Sequence, residues 1–343
     1  MVAFDRRRAL GLMGAGVAAA AAGGLAAPAI AKNRKVVVGA LRFTSHSASF
    51  VALERGYFAE AGLDVELKFF QAAQPMAVAI ASRDVDYAVT AVSGGLISLA
   101  QKGAIKVIGG ALSEEPGIDG QKILASNGAY DAGLTSAAAL ADRSFGVTQA
   151  GSSFHYMGSK IGAAEGAMPK FKPLQKVGAI IGALKSNQID AWSIVPHIAK
   201  PLAGAGAVKI IGNVSDYLPH YQVTTTFTSD ANAANEAGMT GDFIAAFSKG
   251  AADYNAAMVD RTEGDDGMNA MVDLVHKYVY TDRPREKAAP SIINGSMRIN
   301  EGAKLNMASI RDQLEWYQSE KLVDASVTME DLVNASYVET FEA

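Results

Sequence analysis

The stretch from Arg42 to Phe70, with the strand that leads into it, leaves the chain few options. Lys35–Leu41 places Val36, Val37 and Val38 in succession, as expected of a strand buried on both faces of a parallel sheet. It gives way to Thr44, Ser45, His46 and Ser47, short polar side chains that cap helix N-termini and leave backbone N–H groups free. The next segment carries Phe50, Val51, Leu53, Glu54, Tyr57 and Phe58, and predicts a helix that stops near Gly56–Gly62. Gly62 suits a left-handed C-cap, and Asp64–Phe70 resumes as a strand with Val65, Leu67 and Phe69 in alternation. Together these pieces form a βαβ unit. Such a unit presents its loop at the carboxyl edge of the sheet, where ligands of open α/β proteins bind.

Apolar runs and helical stretches keep alternating afterwards. Pro75 opens a predicted helix through Met76, Val78 and Ile80, Asp86–Thr90 reads as a strand, and Gly94–Gln101 as a helix. The strand Ile105–Leu112 runs toward Ser113-Glu114-Glu115-Pro116-Gly117, which reads as a crossover between lobes. A second α/β set follows, with strands near Lys122–Ala125, Ser144–Thr148, Asp190–Val195 and Val208–Ile211. Helices are expected near Ser153–Glu165, Gly178–Ser186 and Ile198–Ala203. The β-branched run Gln222–Phe227 reads as the return crossover, after which the chain turns helical. There Phe243, Phe247, Tyr254 and Met258 form one stripe at helical spacing, and Met307, Ile310, Leu314 and Tyr317 another, both expected to face a core. The predicted fold is α/β with two lobes, each a mostly parallel sheet flanked by helices, around a cleft. Residues 32–118 and 222–343 are assigned to lobe 1, and 119–221 to lobe 2.

Residues 1–31 read as an export signal. Arg6, Arg7 and Arg8 precede an Ala- and Gly-rich run, and Ala29-Ile30-Ala31 offers a cleavage site. The arginines resemble a twin-arginine signal, which exports folded cargo; Ala9 and Asp5 depart from the usual pattern and leave ordinary secretion open. Cleavage after Ala31 makes the product more negative than the net −4 of the whole chain, a poor match to nucleic acid. The chain has no cysteine, which excludes disulfides, a thiol nucleophile, a thiolate metal site and a lipoprotein anchor. A soluble periplasmic monomer is expected.

Catalytic signatures are missing: there is no Walker loop, no Gly-x-Ser-x-Gly elbow and no His-Glu-x-x-His helix. Short polar residues recur instead at predicted helix starts, namely Ser45, His46 and Ser47, then Ser93 with Gly94, then Ser152 with Ser153. A helix start offers unpaired N–H groups and partial positive charge, suited to a carboxylate or sulfonate. Phe154, His155 and Trp192 lie beside these loops as candidates to stack on or rim a ligand, and Trp192 as a flat apolar wall. Gln71 and Gln74 are candidate neutral hydrogen-bond partners, and Arg42 either meets an anion or forms a structural ion pair. Without a carboxylate cluster beside His46 and His155, no metal site is expected. No cofactor and no catalytic residue is assigned.

The run Ala52–Val65, with Gly56-Tyr57-Phe58 and then Gly62-Leu63-Asp64-Val65, resembles a signature of one family of solute-binding proteins. These are the periplasmic components of ABC importers for sulfonates, taurine, nitrate and thiamine precursors, and the resemblance extends in pattern from Lys35 to Tyr221. It implies the type II-like periplasmic binding protein fold, a small organic ligand in the interlobe cleft, and an inner-membrane permease with its cytoplasmic ATPase as partner. It also implies that ligand contacts come from Ser45–Ala48, Ala72–Gln74, Val92–Gly94, Ser152–Tyr156 and Trp192–Pro196. Two other functions stay open: a ligand-sensing partner of a membrane receptor, and an enzyme like the thiamine-pyrimidine synthases. The second is disfavoured by the export signal and by the absence of the cysteine-rich segment such enzymes carry.

Overall fold

The computed structural model describes residues 33–343; the expected export signal lies outside the described residues. The opening βαβ unit runs β1 (Arg34–Ala40), α1 (Ser47–Glu54), α2 (Tyr57–Glu60) and β2 (Leu63–Phe69). Gly56, between α1 and α2, and Gly62, between α2 and β2, both adopt positive φ, 77° and 74°, so a side chain at either would be strained. Next come α3 (Ala73–Ala81), β3 (Tyr87–Thr90), α4 (Gly94–Gln101) and β4 (Ile105–Gly110). The chain then crosses to a second set: β5 (Lys122–Ser126), α5 (Asn127–Asp131), β6 (Ser144–Val147), α6 (Ser153–Glu165), β7 (Lys170–Pro173), α7 (Val177–Lys185), β8 (Ala191–Ile194), α8 (Pro196–Gly204) and β9 (Val208–Asn213). It returns through β10 (Thr225–Ser229) and closes mainly with helices α9 (Asp230–Asn235), α10 (Ala237–Met258), α11 (Gly264–His276), α12 (Arg285–Asn294) and, after a short strand, α13 (Met307–Ser319).

Two five-stranded sheets result, in the orders β2-β1-β3-β10-β4 and β7-β6-β8-β5-β9. Four strands of each run the same way. The exceptions are β10 and β5, each antiparallel to both of its neighbours. Each is the first strand after a crossing, so it enters its sheet from the crossover side and must run against the rest. Thr225–Phe227, read from the sequence as crossover, therefore belongs to a central strand; its β-branched residues are buried because both faces are covered.

The helical stripes explain how the first sheet is covered. Phe243, Phe247, Tyr254 and Met258 of α10 are all buried, and Phe243 stacks on Tyr87 of β3 with centroids 4.2 Å apart. Helix α10 also lies against α1 at Gly250, where a Cβ would come within 2.2 Å of the Ala48 carbonyl oxygen. On the second stripe, Ile310, Leu314 and Tyr317 are buried, and the Tyr317 hydroxyl donates to the Val92 carbonyl at 3.2 Å. The two crossing segments are tied to each other by an antiparallel bridge between Ser113 and Gln222 and by Glu114 N–H to Tyr221 C=O at 2.9 Å. Among the described residues, no helix is long and apolar enough to cross a membrane.

Candidate functional site

The carboxyl ends of β1, β2 and β3 face those of β6 and β8 across a cavity of about 60 Å³, lined among others by Ser45, His46, Thr90, Gln121, Ser152 and Phe154. It adjoins a wider vestibule of about 510 Å³, and Leu41, Phe43 and Val177 line both. The inner space is large enough for a small polar group and the outer one for the body of a small molecule.

The inner cavity presents donors that nothing satisfies. Ser152 stands at the N-cap of the 13-residue α6, yet its side chain makes no capping bond; its hydroxyl is buried without a partner. The first bonds of that helix run from His155 and Tyr156 N–H to the Ser152 carbonyl, so the N–H groups of Ser153 and Phe154 precede the helical ladder. Gln121 sits on the outgoing crossover just before β5. Its backbone N–H donates to Glu114 Oε1 at 3.0 Å, but its side-chain Nε2 is buried with no partner. Leaving such groups unpaired costs about 1–3 kcal/mol each, a cost that an acceptor in the cavity would remove.

His46 adds a neutral donor. Its Nδ1 accepts from Leu41 N–H at 3.3 Å, which puts the ring proton on Nε2, and burial lowers its pKa to about 3. His197 is lowered to about 3 as well, by burial first and by the neighbouring His46 second. Neither ring charges near neutral pH. Among the described residues lining the inner cavity there is no lysine, arginine, aspartate or glutamate. A ligand group seated there is held by dipoles and hydrogen bonds alone.

Of the residues singled out from the sequence, Ser45, His46, Ser152, Ser153 and Phe154 meet at this cavity. Gln71 lines the vestibule instead. The others serve the framework. Ser47 is wholly buried in α1, and Ser93 caps α4 by accepting from Leu96 N–H at 3.2 Å. Gln74 accepts from the Ser93 hydroxyl at 3.4 Å and packs across Gly95. The Nδ1 of His155 accepts from Gly151 N–H at 3.1 Å, and the ring packs between Phe171 and Trp316. Trp192 requires correction. It is fully buried in β8, off the cavity, and meets Phe154 edge to face at 5.5 Å, so it supports the cavity wall from behind. Of β8 it is the carboxyl end, Ile194, that lines the cavity, and Trp192 lies two residues further back along the strand.

Sequence reasoning missed Gln121, Thr90, Thr148 and Thr224. Gln121 had one available signal, its place between a crossover and a strand, since crossovers floor any cleft between two sheets. The cleft is bridged on more than one side. Gly94 N–H donates to Gly151 C=O at 2.9 Å, and both the Tyr156 hydroxyl and Lys160 Nζ bond Asp312. Thr44 Oγ1 bonds His197 Nδ1 at 3.0 Å, and Lys200 Nζ donates to the Asn294 carbonyl at 2.7 Å. Among the described residues no group of three metal-ligating side chains converges.

Residues 43–257, more than half of the chain, match the family described as NMT1/THI5 like. The chain belongs to the NMT1/THI5-like family. No curated protein sequence matches it. Solved structures similar to this family member include the alkanesulfonate-binding protein SsuA from Xanthomonas axonopodis pv. citri bound to MOPS, at 14% identity and TM-score 0.68, covering 88% of this chain and 98% of that one. The periplasmic nitrate-binding protein NrtA from Synechocystis PCC 6803 aligns at 12% identity and TM-score 0.66, covering 86% and 84%. A Candida albicans protein described as having the generic periplasmic binding protein structural fold aligns at 14% identity and TM-score 0.66, covering 89% and 98%. At such identities the likeness shows the fold, and the fold is that of periplasmic binding proteins.

Proposed function

We propose that this NMT1/THI5-like protein is the extracytoplasmic substrate-binding component of an ABC importer. It captures a small organic acid between its two sheets and delivers it to a membrane permease. The observation that carries this reading is the convergence, in one cavity between two separately built sheets, of Ser152 Oγ, Gln121 Nε2 and the start of α6, all without acceptors. Donors of this kind, with no fixed positive charge, suit a carboxylate, a sulfonate or a carbonyl-bearing ring. The paired arginines and Ala-Ile-Ala motif of the first 31 residues support export to the periplasm, and the sulfonate- and nitrate-binding relatives in fold support transport. Residues 32–118 with 222–343, and 119–221, act in this reading as two bodies that close on ligand about the tied crossovers.

The test is a thermal-shift screen of the mature protein over alkanesulfonates, aromatic carboxylates, nitrate and pyrimidines, followed by titration calorimetry of the hits. A ligand at a hundred times its dissociation constant should stabilise the protein by about 2.7 kcal/mol. If none of these classes stabilises the protein, while nucleic acid or a receptor ectodomain does, the reading fails.

A further inference from the structure

The vestibule has a charge pattern that the inner cavity lacks. Among the described residues lining it are Arg42, Lys185 and Arg283, and no carboxylate, in a chain whose net charge is −4. They come from three separate places: the end of β1, the end of α7, and the link between α11 and α12. Their positions are partly set in advance. The Arg42 guanidinium lies 3.9 Å from the Phe69 ring centroid and donates to the Tyr278 carbonyl at 3.1 Å. Arg283 lies 4.6 Å from the centroid of Tyr280, whose hydroxyl is held by the His197 carbonyl. Among the described residues, none of the three cations has a carboxylate within ion-pair distance, although fourteen such pairs form elsewhere. Between these cations and the inner cavity the walls are apolar, with Phe43, Val177, Ile181 and Ile198.

We propose that the vestibule is a second anion subsite, so that the ligand is an elongated, two-ended acid. One acceptor end enters the charge-free inner cavity, an apolar or aromatic body fills the vestibule, and a second anionic group stands among Arg42, Lys185 and Arg283. This rests on the reading of the inner cavity as the ligand site. A single small acid would leave the three cations without a counter-charge. An acid with a neutral outer end would forgo their attraction, and cations aligned at the mouth of a cleft attract anions in a way that salt weakens.

The test uses terephthalate, whose two ends are both carboxylates, against 4-methylbenzoate, which has the same ring and one neutral end. Calorimetric titration should show terephthalate binding about tenfold tighter at low salt, the sum of three modest rim attractions. The advantage should shrink as sodium chloride rises from 50 to 300 mM. In Arg42→Gln/Lys185→Gln/Arg283→Gln the advantage should vanish, with terephthalate falling to the affinity of 4-methylbenzoate for the same variant. Lys185→Glu, at an exposed helix end, provides a variant that preserves packing and should weaken terephthalate selectively. Equal affinity for the two acids, or an advantage that survives the charge substitutions, overturns the second subsite and leaves the inner site standing. Binding of neither acid, with a hit of unrelated chemistry from the wider screen, overturns both.

Discussion

Glu114 sits where the chain first leaves the β2-β1-β3-β10-β4 sheet, and it is nearly inaccessible, at 1% exposure. One carboxylate oxygen accepts from Gln121 N–H; the other is buried with no partner and presses against Gly120, where a Cβ would lie 1.8 Å from it. Burial pushes its pKa up to about 7, against the hydrogen bond from Gln121 N–H and nearby Lys122, which pull it down. The folded protein thus holds a proton that the unfolded chain, near 4.5, has lost. The stabilisation is complete below that unfolded value and is lost as pH rises through about 7. At 1.36 kcal/mol per pH unit, the loss across that window comes to about 3 kcal/mol. Glu114→Gln keeps an acceptor for Gln121 N–H and cannot ionise. Urea melts of the mature protein at pH 5 and pH 8 should show wild-type stability falling by roughly this amount relative to the variant. Parallel pH profiles for the two proteins would refute the reasoning, because they would mean that Glu114 ionises without penalty in the folded state.

Two further substitutions probe the site and its support. Trp192→Ala removes a fully buried ring from β8 and should cost about 3–5 kcal/mol of stability, read as a lower melting temperature of the ligand-free protein. Gln121→Leu removes an unpaired buried amide, so the ligand-free protein should melt no lower, while affinity for the best acid from the screen should drop about tenfold or more in calorimetry.

Much of the architecture was legible because periodicity and punctuation report the backbone directly. The valine run of β1, Gly62 as a left-handed C-cap and the helix Ser153–Glu165 all follow from local rules that the tertiary structure does not overturn. The direction of β10 was not legible. A β-branched run announces burial in a sheet, but whether it crosses between sheets or lies within one depends on where β3 and β4 leave a gap. The site divides along the same line. A polar loop after a strand is a local signal, and four residues it singled out, Ser45, His46, Ser152 and Ser153, come together at one cavity. Whether Ser93 spends its hydroxyl on Leu96 N–H while Ser152 leaves its own free is decided by side-chain geometry that both sequences permit.

Trp192 and Phe154 show why composition near a cleft misleads. Both are aromatic and both lie beside the predicted loops, yet Phe154 reaches the cavity and Trp192 lies behind it. The difference comes from their elements. Phe154 occupies the first turn of a helix, half-buried, where one side of the residue faces the space the helix start points into. Trp192 occupies the middle of a strand that is hydrogen-bonded to β5 and covered by α6 and α7. In the proposed function the pocket holds an acid without a fixed charge, and donors kept rigid in this way spare the ordering entropy that a mobile donor would pay on each binding event. In that reading the buried indole would act on affinity through Phe154, which it meets edge to face, and the start of α6. On that account its loss should also weaken ligand binding in whatever fraction of Trp192→Ala still folds.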